Sequence, residues 1–434
     1  MEQFVSLRGI LMIFLIVGGF AAILIRPKIG IFFIFLVTIL RDGFLYEWFQ
    51  PVYDLHLPQI IMILTLIAWL FHIREYPLRF NRDITLMLVY FLVICSTRFF
   101  AGTPVFDHPL VNENLRTIAT FFLVVQLIRT PKDMRAVLWT FVAMHLFLAL
   151  RAYYFYKTDY MDIALPNYVY VNRNSFAGEL AAMLPIAYML GNATKNKPLR
   201  YLGLFTALWC IIGVILTYSR GGLLGVFVGI ACLMLVEKRK MKFIVIILLL
   251  TGLILPRLSE KYTGRIETIE TYQEDASAMG RVAANYAALN MFKENPLMGV
   301  GAGNFNDAIM AYTPPEYVKW VEEGKSVHNI IMQVASDMGI LGLAIFFLLI
   351  FGGFKNSFIK VAENTPEREG TINLLRMLGI ALFVSFVTAQ FGQGAYFGRL
   401  FYLLAFLSAM RQNVHEKNLT IATRFPRKNN KRSR

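Results

Sequence analysis

Long apolar runs separated by short polar links dominate the sequence. Thirteen runs are centred near residues 17, 35, 65, 91, 122, 145, 183, 209, 229, 249, 342, 382 and 403. An α-helix needs about 20 predominantly apolar residues to cross the hydrocarbon core of a bilayer. The pattern therefore predicts an all-α polytopic membrane protein with about 12–13 transmembrane helices. The first run has no small-residue cleavage site after it, so we expect a retained span rather than a signal peptide.

Basic residues concentrate in alternate links, which predicts the orientation of the chain. These links comprise residues 26–28, 74–82, 129–135, 195–200, 237–242 and 355–360, and a basic tail covers 424–434. Cytoplasmic loops of membrane proteins carry an excess of Lys and Arg. We therefore place the basic links and the C-terminus in the cytoplasm, and the N-terminus and the other links outside.

One outer link is long enough to form a small subdomain. The predicted organisation is a bundle of about ten spans over 1–255, an outer loop over 256–327, C-terminal transmembrane helices over 328–412 and a basic cytoplasmic tail over 413–434. Loops of this length are uncommon unless they are functional or disordered.

Two short helices are predicted inside the long loop. They cover residues 265–273 and 280–294, and the second is expected to be amphipathic through Val282, Tyr286, Leu289 and Phe292. Pro296 and the glycines of 299–303 then break the pattern and predict a tight turn. This stretch lacks the preceding strand and the glycine spacing of a dinucleotide-binding fingerprint.

Composition supports the membrane interpretation and argues against nucleic acid as a partner. The 434 residues are 57% hydrophobic and 16% charged, whereas soluble domains average roughly 45–50% apolar and about 25% charged residues. The net charge of +15 lies in short links and the tail, where it faces anionic membrane lipids. The three cysteines, Cys95, Cys210 and Cys232, lie within apolar runs and are expected to serve packing.

The first candidate for chemistry is Arg220, in a turn between two spans that the topology places on the outer face. Arg220 follows Ser219 and precedes Gly221 and Gly222. An arginine in a membrane turn either reaches out to lipid phosphate or faces a partner or a watery cavity. The paired glycines favour the second reading, because they let backbone approach closely and leave the guanidinium able to bind an anion with both arms.

Arg281 and His328 are the other two candidates on the same face. Arg281 is predicted to open the loop helix just after Gly280, where a solvated arginine is the ordinary alternative. His328 is predicted to sit in the first turn of an apolar helix that runs through Asp337, Gly339 and Gly342, where a structural histidine is the alternative. The positive end of a helix disfavours imidazolium, so His328 is expected to be neutral and able to accept a proton.

Metal chemistry has little support in the sequence. No His/Cys cluster exists, and the acids of the long loop show no Asp-x-Asp pair of the kind that holds a divalent ion on a sugar diphosphate. We expect neither a metal nor another cofactor.

Taken in order, these motifs resemble the O-antigen ligase and O-antigen polymerase superfamily. The resemblance rests on residues 217–222, Arg281, 296–305, 328–329 and 337–342, and it covers roughly residues 165–345. The asparagine-bearing start of a span at 172–177 is similar to the family as well. Each motif alone is weak, and their order and spacing make the match specific.

The resemblance implies a GT-C-like fold and transfer of a glycan from undecaprenyl diphosphate to an acceptor hydroxyl. The reaction is expected on the periplasmic side of the bacterial inner membrane, without metal. His328 is the expected general base, and Arg220 and Arg281 are the expected diphosphate-binding arginines. Further substrate contacts are assigned to Arg173 and Asn174, and to Ser219 and Asn329.

The motifs predict the donor and leave the acceptor open. A ligase would use lipid A–core or a similar glycolipid, a polymerase a second lipid-linked glycan, and a protein O-oligosaccharyltransferase a Ser or Thr hydroxyl. A transporter or flippase would bind the same lipid diphosphate without breaking a bond.

Overall fold

The computed structural model describes residues 7–40, 56–157, 173–237, 276–321, 324, 326–358, 366–392 and 398–424. Within these ranges every regular element is a helix. The α-helices are α1 Leu7–Ile25, α2 Lys28–Leu40, α3 Leu57–Phe71, α4 Arg82–Phe100, α5 Pro109–Leu127, α6 Pro131–Lys157, α7 Arg173–Ala193, α8 Lys197–Leu216, α9 Arg220–Val236, α10 Ala276–Glu294, α11 Phe305–Tyr312, α12 Ile330–Ser357, α13 Pro366–Thr388 and α14 Gly398–Arg424. A 3-10 helix covers Pro315–Trp320.

The helices confirm an all-α polytopic membrane protein. Twelve of the thirteen predicted centres fall within helices, and the centre near 249 lies outside the described residues. By length and composition, five described helices can cross a membrane, namely those at Arg82–Phe100, Pro131–Tyr154, Lys197–Leu216, Ile330–Ser357 and Glu369–Thr388. Shorter apolar helices lie at Leu11–Ile25, Lys28–Leu40, Leu57–Phe71 and Arg220–Val236. The full number of 12–13 spans stays a prediction.

Several helices start where a polar side chain caps them. Asn81 accepts a hydrogen bond from Ile84 N at 3.0 Å and begins α4, and Asn196 accepts one from Leu199 N and begins α8. Such caps satisfy backbone N–H groups that have no partner inside the helix. Ser219 and Asn329 cap α9 and α12 in the same way, so two motifs of the sequence are helix starts.

Helix α7 lies at the centre of the bundle and is buried along nearly its whole length. It packs against α6, α8, α9 and α13.

Polar side chains inside the bundle donate hydrogen bonds to the backbone of their own helix. On α5, for example, Asn114 Nδ2 donates to Leu110 O at 2.9 Å. Such inward-facing polar groups let a less apolar helix pack in the bundle interior.

At the end of the bundle opposite the candidate residues, buried hydrogen bonds join Arg79, Gln126 and Asn413. Arg79 and Gln126 exchange hydrogen bonds, from Arg79 N to Gln126 Oε1 at 2.7 Å and from Gln126 Nε2 to Arg79 O at 2.8 Å. The Arg79 guanidinium also donates to Asn413 Oδ1 at 2.8 Å. Helix α14 therefore continues past residue 412, and Asn413 belongs to the packed bundle.

The loop subdomain has a small hydrophobic core of its own. Helix α10 begins at Ala276 rather than at residue 280, so Gly280 and Arg281 lie inside it. The predicted helix over 265–273 lies outside the described residues. The buried side chains of this core are Ala283, Ala284, Ala287, Ala288, Met291, Phe305, Ile309, Val321 and Val327.

The predicted apolar face of α10 is therefore wrong. Tyr286 is 44% exposed and stacks on Tyr317 with ring centroids 4.9 Å apart. The buried face is the alanine row ending at Met291, because small side chains let α10 approach its neighbours closely. A search for large apolar residues misses such a face.

Helix α12 is broken at Gly339, which corrects the continuous helix predicted from the sequence. Gly339 has φ 61° and ψ −158°, far from helical values. The chain there pairs with residues 296–301: Val300 N donates to Ser336 O at 2.9 Å, Gly301 N to Asp337 O at 3.0 Å and Ile340 N to Pro296 O at 2.8 Å. These bonds satisfy backbone groups that the break would leave open.

The glycine-rich turn after α10 is held on its other side by a buried arginine. Arg98, at the end of α4, is 1% exposed. Its Nη1 donates to Ala302 O at 2.5 Å and to Asn304 Oδ1 at 3.1 Å, while its Nε donates to Pro104 O at 2.7 Å. Gly299, Gly301 and Gly303 all have positive φ. The turn predicted from these glycines is thus confirmed, and it is fixed between α4 and α12.

Gly339→Ala is expected to destabilise the protein strongly. A Cβ at Gly339 would lie 2.5 Å from the carbonyl carbon and oxygen of Leu297, and the backbone has φ 61°. Conformational strain alone costs roughly 1–3 kcal/mol, and the collision adds to it. Thermal unfolding of the purified protein in detergent measures the effect.

Gly102→Ala is the matched control, because Gly102 has φ 70° and no heavy atom within 4 Å of a built Cβ. It carries the strain without the collision, so its melting temperature should fall less. Equal losses in the two variants would show that the close approach to Leu297 has no energetic weight.

Candidate active site

Two of the sequence motifs meet in a direct hydrogen bond. Ser219 Oγ donates to Asn174 Oδ1 at 2.7 Å, and it accepts from Gly222 N at 3.1 Å as the cap of α9. Asn174 is the second residue of α7, after Arg173. The starts of α7 and α9 therefore lie side by side at one end of the bundle.

Arg220 is the first residue of α9 and is exposed. Behind it, a Cβ at Gly221 would lie 2.5 Å from Phe391 Cβ, and one at Gly222 would collide with Ala177. The two glycines thus seat the start of α9 against α7 and against the segment after α13. This packing leaves Arg220 at the surface of the bundle end.

His328 lies just before α12 rather than in its first turn. Asn329 is the cap, and its Oδ1 accepts from Ile331 N at 3.0 Å and from Met332 N at 3.1 Å. The helix begins at Ile330, whose N–H donates to Ala389 O at the end of α13. The helix dipole acts mainly within the first turn, so its influence on His328 is weaker than the sequence suggested.

His328 and Tyr218 share an unusual backbone conformation. Both have φ 53°, in the left-handed region. Residues other than glycine pay roughly 1–2 kcal/mol to adopt this conformation. Such outliers often lie at functional sites. Tyr218 lies in the turn before α9 and His328 in the turn before α12, while a third, His56, lies at the start of α3.

Arg281 lies in the second turn of α10, and its carbonyl accepts from Asn285 Nδ2 at 2.9 Å. Helix α10 packs against α12. Val327 is part of the same apolar core as the alanine face of α10, and Met332 packs against that core. Val327 and Met332, which lie before and after His328, therefore pack in the same core as the helix that carries Arg281.

The elements that carry the three candidates join in one succession of contacts. The α7 and α9 starts meet at the bond between Asn174 and Ser219. The start of α9 meets Phe391 after α13, the end of α13 meets Ile330, and α12 meets α10. Arg220, His328 and Arg281 thus lie on elements that meet at one end of the bundle.

A buried ion-pair cluster beneath the start of α7 escaped the sequence analysis. Glu179 Oε2 pairs with Arg399 Nη1 at 3.0 Å, and Glu179 Oε1 lies 3.2 Å from His145 Nε2. Arg399 Nη1 also donates to Ser175 O at 3.0 Å. This cluster ties α7 to α6 and α14 directly behind Asn174.

The geometry fixes one proton of the cluster. His145 Nδ1 lies 2.7 Å from Phe141 O, and a carbonyl oxygen only accepts, so Nδ1 carries a hydrogen. A sequence signal did exist, because an ionisable side chain within an apolar run usually has a partner.

Among the described residues, no group of three or more His, Cys, Asp or Glu side chains is placed to hold a metal ion. The absence of a cofactor therefore stays a prediction. Among the candidate residues at this end of the bundle, Arg173, Arg220 and Arg281 lie at or near helix starts.

Fold and site together define a class: an all-α polytopic membrane protein with polar motifs at helix starts on one end of the bundle. Residues 205–347 match the family model described as O-Antigen ligase, which confirms the resemblance to the O-antigen ligase and polymerase superfamily over that stretch. The match includes Arg220, Arg281 and His328, and it excludes Asn174, Glu179 and Arg399. Comparison with curated proteins finds no match.

His328→Gly should be more stable than His328→Ala. Both changes remove the ring, but glycine adopts φ 53° without the steric cost that alanine pays, a difference of about 1 kcal/mol. Thermal unfolding of both variants in the same detergent tests this. An alanine variant as stable as the glycine variant would contradict the left-handed conformation at this position.

Glu179→Gln should destabilise the protein by about 3 kcal/mol, because it leaves Arg399, whose side chain is only 16% exposed, without its counter-charge inside the bundle. The control is Asp133→Asn, which breaks the more exposed pair of Lys28 and Asp133 at 2.9 Å and should cost about 1 kcal/mol or less. Melting temperatures compare the two. A Glu179→Gln loss no larger than the control would show that the cluster contributes little to stability.

Proposed function

We propose that the protein is an O-antigen ligase-like glycosyltransferase of the bacterial inner membrane, with a GT-C-like fold. It transfers a glycan from undecaprenyl diphosphate to an acceptor hydroxyl, on lipid A–core or a similar molecule, at the periplasmic face. The observation that supports this most is that the family match spans Arg220, Arg281 and His328, whose elements meet at one end of the bundle.

The arginines are proposed to bind the diphosphate of the donor. As the anomeric carbon–oxygen bond breaks, negative charge builds on the leaving diphosphate. A guanidinium stays charged at any physiological pH and offers a fork of N–H donors that matches phosphate oxygens. Arg220 and Arg281, approaching from α9 and α10, can therefore stabilise the transition state without a metal.

His328 is proposed to take the proton of the acceptor hydroxyl as that oxygen attacks the anomeric carbon. The hydroxyl oxygen forms the new glycosidic bond, the bond to the diphosphate breaks, and the proton passes to a neutral imidazole nitrogen. A single displacement of this kind inverts the anomeric configuration. The fixed left-handed backbone at His328 limits how far the ring can move from the acceptor.

The remaining predicted substrate residues are proposed to shape the diphosphate site. Ser219 and Asn174 bond to each other, and Asn329 caps α12. Their first effect is thus to hold Arg220 and His328 on rigid helix starts. Arg173 precedes Asn174 on α7 and is proposed to add a phosphate contact.

Alanine at Arg220, Arg281 or His328 is expected to lower transfer by at least 100-fold, because each change removes an interaction that strengthens in the transition state. Arg220→Lys should also fail badly, since lysine cannot form a two-armed contact. The assay uses purified protein, labelled lipid-linked glycan and acceptor, with excess chelator in a parallel reaction. Activity is expected to be unchanged by the chelator.

Arg74→Ala is the control, because Arg74 is an exposed arginine in the link between α3 and α4, at the opposite end of the bundle. It should transfer at the wild-type rate. Wild-type activity in any of the three alanine variants would remove that residue from the mechanism. Cellular function in His328→Ala, together with no transfer product from the purified wild type, would favour a transporter.

A further inference from the structure

A concave site lies on the loop side of α4, apart from the arginines. It is an open groove of about 720 Å³ between the end of α4, the turn after α10 and helix α11. The lining residues that carry the argument are Phe100, Thr103, Asn295, Asn304, Asp307 and Tyr312. None of the residues assigned to the diphosphate site lines it.

The floor of the groove is rigid. The turn over 296–301 pairs with the broken stretch of α12 through Val300 and Ile340. Asn304 accepts from Arg98 and donates to Thr103 Oγ1 at 3.4 Å and to Val300 O at 2.9 Å. Asn295 Nδ2 donates to Tyr312 Oη at 3.2 Å. A preformed site of this kind loses little conformational entropy when a ligand binds.

The lining combines apolar and hydrogen-bonding surface. Phe100 is 69% exposed, and the groove also holds the ring of Tyr312, the amides of Asn295 and Asn304, and the carboxylate of Asp307. A sugar ring offers the same mixture, with C–H faces that lie on an aromatic ring and hydroxyls that both donate and accept.

Charge distinguishes this groove from the diphosphate site. Among its described lining residues, Asp307 is the only charged one, and a carboxylate repels phosphate. The guanidinium of Arg98 is buried and engaged with Ala302, Asn304 and Pro104. Burial lowers the pKa of the neighbouring His108, and the Arg98 charge acts in the same direction against an opposing effect of Asp307. The net lowering of the His108 pKa favours the neutral imidazole.

The length of α10 separates the groove from the arginine site. Arg281 lies in its second turn and Asn295 follows its last residue. Fourteen residues of α-helix rise about 21 Å. A glycan held at the arginines by its diphosphate would have to extend over several sugars to reach the groove.

We propose that this groove binds an uncharged, hydroxyl-rich segment of a substrate glycan, several sugars away from the reacting bond. The proposal rests on the proposed function, and it assigns to Phe100 and Asp307 the role of glycan contacts that do not take part in the chemistry. The glycan segment belongs either to the lipid-linked donor or to the acceptor, since both offer the same sugar surface.

Direct binding tests the groove without the reaction. The probe is the oligosaccharide released by mild acid from the cell's own undecaprenyl-linked glycan, and saturation-transfer NMR with the full-length protein in detergent reports its binding. Phe100→Ala and Asp307→Ala should each weaken binding about tenfold, the scale of one aromatic or charge-assisted contact. Binding of the probe to Phe100→Ala as tight as to wild type would overturn the proposal, as would no binding to wild type at millimolar probe.

Phe106→Ala is the matched control, because Phe106 is 78% exposed on the link that follows Phe100 and is not a lining residue. It should bind the probe as wild type does. Equal losses in Phe100→Ala and Phe106→Ala would overturn the groove as the binding site, because they would reflect a general effect on the link.

Transfer kinetics distinguish the two glycan sources. With a polymer-length donor, Phe100→Ala should raise the donor KM about tenfold and leave kcat unchanged, whereas a donor carrying one sugar unit should behave as in wild type. A rise in the acceptor KM alone would assign the groove to the acceptor. Unchanged KM values for both substrates, in an enzyme that transfers normally, would overturn the proposal while the proposed function stands. If the wild-type protein transfers no glycan, the proposed function is refuted. The NMR measurement would still show whether the groove binds the oligosaccharide.

Discussion

The backbone pairing between residues 296–301 and 336–341 holds the rest of the site in place. Val300, Gly301 and Ile340 donate across it, and Phe305 N donates to the buried carboxylate of Asp337 at 3.0 Å. Helix α10, which carries Arg281, leads directly into this pairing, and α12 starts nine residues before Gly339. The pairing thus links the segment that follows α10 to the helix that follows His328.

Inside the bundle, the start of α7 is supported by a cluster of ionisable side chains. Each of them would be costly to bury without its partners. Glu179, Arg399 and His145 neutralise and orient one another, and Arg399 also holds Ser175, next to Asn174. Charges within a membrane protein stay inside only when such partners exist. The first turn of α7 is therefore fixed from behind by an ion pair and from the side by Ser219. The proposed diphosphate site needs such support, because transition-state stabilisation depends on donors that need not reorganise.

Hydropathy alone predicted most of the helices, because apolar runs of span length have few other structures open to them. The turn at Arg220 and the glycine turn after α10 were also visible, since glycine pairs and triplets mark close approach and positive φ. The alanine face of α10 could not be predicted from the sequence, because it is buried through the small size of its side chains rather than through large apolar ones. The partners of Glu179 lie 34 residues before it and 220 residues after it in the sequence, and no local pattern joins them. The break at Gly339 depends on hydrogen bonds to the backbone of residues 296–301, which come close only in the folded chain.

The broken helix has a consequence for how the protein can be divided. Open backbone groups inside a membrane protein must be paired within the protein, and here the loop supplies the pairing for α12. The loop and the first half of α12 therefore form a single structural unit. A chimera that exchanges the long loop between relatives, so as to exchange glycan preference, has to carry the first half of α12 with it. An isolated loop, however soluble, would lack the surface on which its own turn is built.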